Sequence, residues 1–240
     1  MMKSATAVKA KIKNKAGGSS DKSQIMLRIY LMERLLERVS LSRYRDNFVL
    51  KGGLLVSSLV GVDMRSTMDV DTTVKSLPLN KRSAQKILEE IIAIEVDDGV
   101  IFRITKVQDI MEGHEYEGIR FMIECTMDKL KQTIKVGIST GDVRAEANTR
   151  MRDFYDIHVL LEQDVVTIDR DTMKSAFYAT CKRQKSTERI VTIDDVINKI
   201  ADDEVTKQQW KNYQKTNYYV GALEWDDVIE STRTLRTMVE

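Results

Sequence analysis

The stretch that decides the fold runs from Phe48 to Val74 and reads FVLKGGLLVSSLVGVDMRSTMDVDTTV. A short apolar segment is broken by Gly52-Gly53, a second apolar segment follows, and the stretch ends in a β-like string that contains Asp69 and Asp71. Because side chains alternate between the faces of a strand, the two carboxylates project from one face about 7 Å apart, while Val70 points to the core. The sequence therefore predicts two carboxylates held on one rigid strand.

Two carboxylates at this range resist joint ionisation unless a positive charge lies between them. Magnesium supplies that charge, since it takes one or two protein carboxylates and completes its shell with water and substrate phosphates. Gly52 and Gly53 allow a close approach of the backbone to a phosphate, and a helix that begins near Leu54 would favour an anion at its N-terminus. These features predict a site for a metal ion and a nucleotide.

Each feature alone has a simpler explanation. An Asp-x-Asp pair is common in strands, and Gly-Gly after a strand is usually a turn. The order in which the features occur is more specific than any one of them: strand, Gly-Gly, apolar helix, the Arg65-Ser66-Thr67 segment, and then Asp-x-Asp.

This order resembles the nucleotidyltransferase superfamily of DNA polymerase β-like folds. More narrowly, LKGG at 50–53, RSTMDVD at 65–71 and RMRDFYDI at 150–157 resemble the AbiEii/AbiGii family, the toxin half of abortive-infection toxin–antitoxin pairs. The resemblance extends from about Gln24 to the C-terminus. It implies an α+β fold, in which a nucleotidyltransferase-like mixed β-sheet with flanking helices is followed by a mainly helical C-terminal part.

The resemblance also implies a function: a Mg²⁺-dependent toxin transfers a nucleotide from an NTP, with GTP and CTP left undecided, to an RNA acceptor. The 3′ end of a tRNA is the expected acceptor, and the blocked RNA would inhibit translation in phage abortive infection. The expected counterpart is a cognate antitoxin from the same operon that forms no stable complex with the toxin.

Asp69 and Asp71 are the predicted metal ligands and catalytic residues. By resemblance, Asp153 and Asp156 are further catalytic residues, although a solvated helix face with an Arg152–Asp156 pair explains them equally well. The remaining predicted site residues would lie near the phosphates of the nucleotide: Lys51, Gly52, Gly53, Ser57, Arg65, Ser66 and Thr67. Ser58 is an alternative to Ser57.

The sequence departs from the family at two places. Gly137 stands where the family usually has a third carboxylate, and Asp142 is the nearest substitute. A stretch of tens of residues after Asp142 is missing. An alternative function is therefore a nucleotidyltransferase fold that binds a nucleotide or a partner without turnover, and a kinase-like phosphotransferase is a third interpretation.

Composition limits the remaining choices. The chain has 240 residues, 31% of them charged, and a formal net charge of +1, so any contact with nucleic acid must use a local basic patch. The absence of a signal peptide or a long apolar run indicates a cytoplasmic protein without a membrane span. We expect a flexible basic tail over residues 1–20, a nucleotidyltransferase-like domain over 21–143 and a helical domain over 144–240.

Overall fold

The computed structural model describes residues 4–61, 67, 69–75, 80–110, 118–139, 150–162, 167–183 and 186–240. The described part of the first half contains four helices and five strands. In chain order they are α1 (Ala5–Lys15), α2 (Ser20–Leu41), β1 (Phe48–Lys51), α3 (Gly52–Val60), β2 (Asp69–Val74), α4 (Lys81–Ile92), β3 (Ile101–Ile110), β4 (Gly118–Met127) and β5 (Leu130–Ser139). The second half is helical: α5 (Met151–Glu162), α6 (Arg170–Arg183), α7 (Ile193–Asp202), α8 (Glu204–Thr216) and α9 (Trp225–Met238). Short 3₁₀ helices span Arg45–Asn47 and Thr187–Thr192.

The five strands form one mixed sheet in the order β1-β2-β5-β4-β3. β2 and β5 pair in parallel, and the other neighbours pair antiparallel. The predicted α+β class, with a mixed sheet, flanking helices and a helical C-terminal part, is confirmed.

Strand alternation gives the sheet two different faces. In β2 the side chains of Val70, Thr72 and Val74 are buried, and those between them are only partly buried. β4 shows the same alternation around Phe121. Helices α2 and α4 contact β5 and β3, respectively, and supply their own buried apolar side chains to this core. The sheet therefore has one apolar face in the core and one face lined by polar residues.

Helix α1 occupies residues 5–15, within the segment that the sequence predicted as a basic tail. The backbone N–H of Ala5 donates to the Asp128 carboxylate at 2.9 Å, and the Ser4 hydroxyl accepts from the N–H of Ala7 at 3.3 Å. Ala5 and Val8 are buried. A few apolar contacts and a cap thus fix a segment whose lysine-rich composition suggested a tail.

A buried ion pair connects α2 to the turn before β3. Arg38 donates two hydrogen bonds to the Asp98 carboxylate, at 2.7 and 3.0 Å, and a third to the Val100 carbonyl at 3.0 Å. Both side chains are almost fully buried, and the Arg38 guanidinium also lies over the Phe102 ring.

The chain divides into two compact units, each with most of its residue contacts inside itself. The first comprises Met1–Ser57 and Ser66–Val143, and the second comprises Ser58–Arg65 and Arg144–Glu240. The second unit has its own core, in which Phe154 and Trp225 make an edge-to-face contact with ring centroids 5.4 Å apart. Within the part of the chain that the structure describes, no helix has the length and apolar character needed to cross a membrane.

Candidate active site

The site is built on the polar face of the sheet, where β2 lies between β1 and β5. Asp71 is opposite Lys51 of β1 on one side and Gly137 of β5 on the other. Asp69 is opposite Lys135 of β5. Because β2 and β5 are parallel, the two aspartates and the alternate residues of β5 share one face, as the sequence predicted.

The Asp71 carboxylate lies between two glycines. A Cβ at Gly52 would be 2.9 Å from Asp71 Oδ2, and a Cβ at Gly137 would be 3.0 Å from Asp71 Oδ1. Gly52 also has a φ of +67°, a conformation that favours glycine. The Asp71 carboxylate thus lies against the glycine corner at the start of α3.

Asp69 supplies an independent observation. Its Oδ1 atom is buried and has no hydrogen-bond partner among the residues that the structure describes. A buried carboxylate oxygen normally has a partner, because its desolvation is costly. An oxygen ligand of this kind fits Mg²⁺, which prefers carboxylates and commonly takes only two from the protein. Within the described ranges no cluster of three or more His, Cys, Asp or Glu residues could hold a metal.

The helix N-terminus beside Asp71 offers backbone donors. α3 begins at Gly52, so the N–H groups of its first turn have no partners within the helix. The buried Ser57 hydroxyl donates to the Gly53 carbonyl at 2.7 Å. The Ser57 hydroxyl proton is therefore engaged within α3, whereas the backbone N–H groups at the start of the helix are the donors that could meet an anion.

The other predicted phosphate residues differ in what the structure shows. Lys51 Nζ donates to Ser139 Oγ at 3.1 Å, so this cation reaches from β1 across β2 to β5. Thr67 is buried, and its hydroxyl donates to the Asp69 carbonyl at 3.2 Å. Arg65 and Ser66 lie outside the described residues, as does Asp142.

Asp153 and Asp156 lie on α5, in the second unit. Both are partly buried, whereas the buried side chains of α5 belong to other positions, such as Phe154 and Tyr155. Arg150 Nε lies 3.7 Å from Asp153 Oδ2. His158 on the same helix is partly buried, and its Nδ1 lies 2.8 Å from Ser231 Oγ.

Sequence reasoning missed Arg120 of β4, which is opposite Gly137 and therefore shares a row with Asp71. Its position in a strand was predictable. Its proximity to the aspartates was not, because this follows from the β4–β5 register, which the sequence alone does not fix.

A protein-family model matches most of the chain. Residues 34–147 and 143–231 match the family described as "Nucleotidyl transferase AbiEii toxin, Type IV TA system". The fold and the family match together place the protein in the nucleotidyltransferase class. More particularly, the chain belongs to the AbiEii toxin family.

Two crystal structures from Helicobacter pylori are similar in fold. One protein, assigned as a nucleotidyltransferase, is 16% identical, with a TM-score of 0.43 and coverage of 90% of this chain and 93% of that one. The other, JHP933, is 15% identical, with a TM-score of 0.39 and coverage of 90% of both chains. No curated protein sequence is a significant match to the chain.

Proposed function

We propose that this protein is a Mg²⁺-dependent toxin that transfers a nucleotide from an NTP to an RNA acceptor. The observation that carries the proposal is the Asp71 carboxylate, which is turned towards Gly52 at the start of α3 while Asp69 on the same strand has a buried oxygen with no partner among the described residues. Membership of the AbiEii family supports the reaction class.

Asp69 and Asp71 would hold the metal ion, which when bound would neutralise charge on the triphosphate. The N–H groups of Gly52 and Gly53 at the start of α3 would bind a phosphate, favoured by the positive end of the helix dipole. Lys51, in the same row as Asp71, would compensate charge on the leaving group. The residues thus act by positioning and by electrostatics.

In the reaction, a hydroxyl oxygen of the RNA forms a bond to the α-phosphorus of the NTP. The bond from that phosphorus to the oxygen bridging to the β-phosphate breaks, pyrophosphate leaves, and the hydroxyl proton passes to solvent. We propose that Asp153 and Asp156 also contribute, on the basis of the Arg-Asp-x-x-Asp motif that they share with the family.

A basic surface on α1 supports RNA as the acceptor. Lys9, Lys11, Lys13 and Lys15 are all exposed, and among the described residues none of them forms an ion pair. The helix is held in place by its buried residues and by Asp128, at the opposite end of β5 from Gly137. An RNA much larger than a nucleotide would be able to contact α1 and the site together, and a tRNA is such an RNA.

Family membership supports a proposal for the biological setting. A type IV toxin is paired with an antitoxin, and we propose a cognate antitoxin that acts without a stable complex, in the cytoplasm, in defence against phage. We further propose that residues 21–143 carry the nucleotide site and that residues 144–240 form a separate helical domain.

A second candidate function is binding of nucleotide without turnover. The observation that favours it is the absence, within the described part of the chain, of a third carboxylate beside Asp69 and Asp71, since the position next to Asp71 is Gly137. The two adjoining matches to the family meet at residues 143–147, near the place where a segment is missing.

Incubation of the protein with total RNA, Mg²⁺ and each of the four α-labelled NTPs tests the proposal. We expect label to enter an RNA band from a preferred NTP, and to disappear with Asp69→Asn or Asp71→Asn. The exposed carboxylate variant Asp46→Asn is the matched control and should retain transfer. Nucleotide binding without label transfer would support the second candidate. A parallel incubation with γ-labelled NTPs tests for a phosphotransferase, which would release a nucleoside diphosphate and put the γ-label on the acceptor.

A further inference from the structure

One row of residues crosses the whole sheet at the level of Asp71. In strand order it contains Lys51, Asp71, Gly137, Arg120 and Gln108. Asp71 and Arg120 flank Gly137, so they are separated by two strand spacings, or about 10 Å. Residues paired in this way share a face of the sheet, so Arg120 lies on the face that carries Asp69 and Asp71.

Gly137 puts no side chain between these two residues, and the Asp71 carboxylate lies directly against it. A Cβ at this position would be 3.0 Å from Asp71 Oδ1, which is closer than a side chain tolerates without a shift of the carboxylate. The strand between Asp71 and Arg120 therefore presents only backbone at this level. A long side chain from β4 can extend over Gly137 towards the phosphate corner.

Arg120 lacks the partners that the other partly or fully buried arginines of this unit have. Its side chain is partly buried, yet it has no ion pair, side-chain hydrogen bond or ring contact with any residue that the structure describes. In contrast, the buried Arg38 binds Asp98. Even the exposed Arg103 on β3 has a partner, since it binds Glu124 at 3.0 Å. A guanidinium has five donors in a planar fork that matches a phosphate, so a partly buried one without an anion is suited to a charged ligand.

From this juxtaposition we propose that Arg120 is a phosphate-binding residue for the β- and γ-phosphates of the nucleotide, the group that leaves as pyrophosphate. It reaches them over Gly137, from the side of Asp71 opposite to Lys51. The inference rests on the proposed function, because it assumes a nucleoside triphosphate at Asp71. It gives Gly137 a role of its own: because this residue has no side chain, only backbone separates the Asp71 carboxylate from Arg120.

Equilibrium binding separates this role from a structural one. With Mg²⁺ present, the dissociation constants of an NTP, inorganic pyrophosphate and the corresponding nucleoside monophosphate are measured by calorimetry for the wild type, Arg120→Gln, Arg120→Lys and Arg103→Gln. Arg103→Gln removes the same charge from the neighbouring strand, and circular dichroism checks that all four proteins are folded. Arg120→Gln removes a charge-assisted pair of hydrogen bonds, so we expect NTP and pyrophosphate to bind about tenfold or more weakly.

The monophosphate should bind equally well to all four proteins, Arg120→Lys should recover part of the affinity, and Arg103→Gln should bind as the wild type does. Folded Arg120→Gln that binds NTP and pyrophosphate as tightly as the wild type overturns the role of Arg120 and leaves the proposed function intact. An equal loss in Arg103→Gln shows a general charge effect and also overturns it. A wild-type protein that binds neither NTP nor pyrophosphate overturns the proposed function itself.

Discussion

The carboxylate of Asp71 lies so close to Gly137 that a Cβ at residue 137 would be 3.0 Å from Oδ1. On the other side, a Cβ at Gly52 would be 2.9 Å from Oδ2. Two glycines from distant parts of the sequence thus enclose one carboxylate. The orientation of Asp71 depends on both, because a side chain at either position would displace it.

Substitution of Gly52 tests this enclosure. Gly52→Ala places a side chain both in a left-handed backbone conformation and against Asp71, so we expect a loss of stability of about 1–2 kcal/mol. We also expect a loss of transfer of about 100-fold, because the ligand is displaced. Gly221 has a φ of +61° and nothing within 4 Å of an added Cβ, so Gly221→Ala is the matched control. It should lose similar stability and keep its activity, and equal activity losses in both variants would contradict the enclosure of Asp71.

The buried Oδ1 atom of Asp69, which has no hydrogen-bond partner among the described residues, predicts a separation of stability from ligand binding. Asp69→Asn removes the charge from this atom, so we expect the variant to be at least as stable as the wild type without ligand. With Mg²⁺ and NTP at about 100 times the dissociation constant, the wild type should gain about 2.7 kcal/mol. Thermal unfolding with and without these ligands measures the gain, which should be absent in Asp69→Asn. An undiminished gain would exclude Asp69 as a ligand.

The acidic pair of α5 is tested by separate Asp153→Asn and Asp156→Asn variants. If these carboxylates take part in transfer, each variant should lose about tenfold or more of the rate, with an unchanged unfolding midpoint, since neither side chain belongs to the buried core. Glu162→Gln, an exposed change on the same helix, is the control. Full activity in both aspartate variants would favour the solvated-face interpretation.

The lysines of α1 predict a salt-dependent interaction with RNA. Lys9→Gln combined with Lys13→Gln should weaken RNA binding and reduce the slope of log affinity against log salt concentration by about 1 for each phosphate that the variant no longer neutralises. Lys211 and Lys215 are also exposed and four residues apart on a helix, so the corresponding double variant is the control. Identical slopes for the two double variants would remove α1 from the RNA surface.

The Arg38–Asp98 pair predicts a pH dependence of stability. Burial alone would raise the pKa of Asp98, but the hydrogen bonds from Arg38 and the Val100 N–H and the charge of Arg38 outweigh it, so the pKa is lowered. The contribution of Asp98 to the free energy of unfolding is therefore fully present above the pKa of about 3.9 that the group has in the unfolded chain. It is lost as the pH falls through the lower pKa of the folded protein. Arg38→Met leaves a buried carboxylate without its cation and should cost about 3–5 kcal/mol at pH 7.

That cost should shrink towards pH 4, because Asp98 without Arg38 takes up a proton more readily. Urea unfolding at several pH values, followed by far-ultraviolet circular dichroism, measures it. The exposed pair of Arg43 and Glu90 provides the control, and Arg43→Met should have a much smaller effect. A cost for Arg38→Met that is independent of pH would contradict this account.

The elements of the first half could be predicted from local patterns, but their relations could not. Strand β1, the Gly52-Gly53 break, helix α3 and the alternation in β2 follow from residue order and periodicity. The start of β5 at Leu130 has no local signal, because the two-residue turn before it contains Asp128 with a φ of +50° and no glycine to mark it.

The site was predictable only in part for the same reason. Asp69, Asp71 and the two glycines of the β1–α3 corner are close in sequence, so a strand period and a turn bring them together. Gly137 and Arg120 enter the site through the parallel β2–β5 pairing and the antiparallel β4–β5 pairing, respectively. No local pattern fixes these registers. The sequence therefore predicted the aspartates and missed the arginine.

The two tryptophans of the chain, Trp210 and Trp225, both belong to the core of the helical unit, with ring centroids 5.6 Å apart. Intrinsic tryptophan fluorescence therefore reports on the helical unit and does not report on the sheet that carries Asp69 and Asp71. A fluorescence melt that is unchanged by a substitution in the sheet would say nothing about the integrity of the nucleotide site. If the two units unfold separately, the difference between a fluorescence transition and a dichroism transition would measure the stability of the sheet directly.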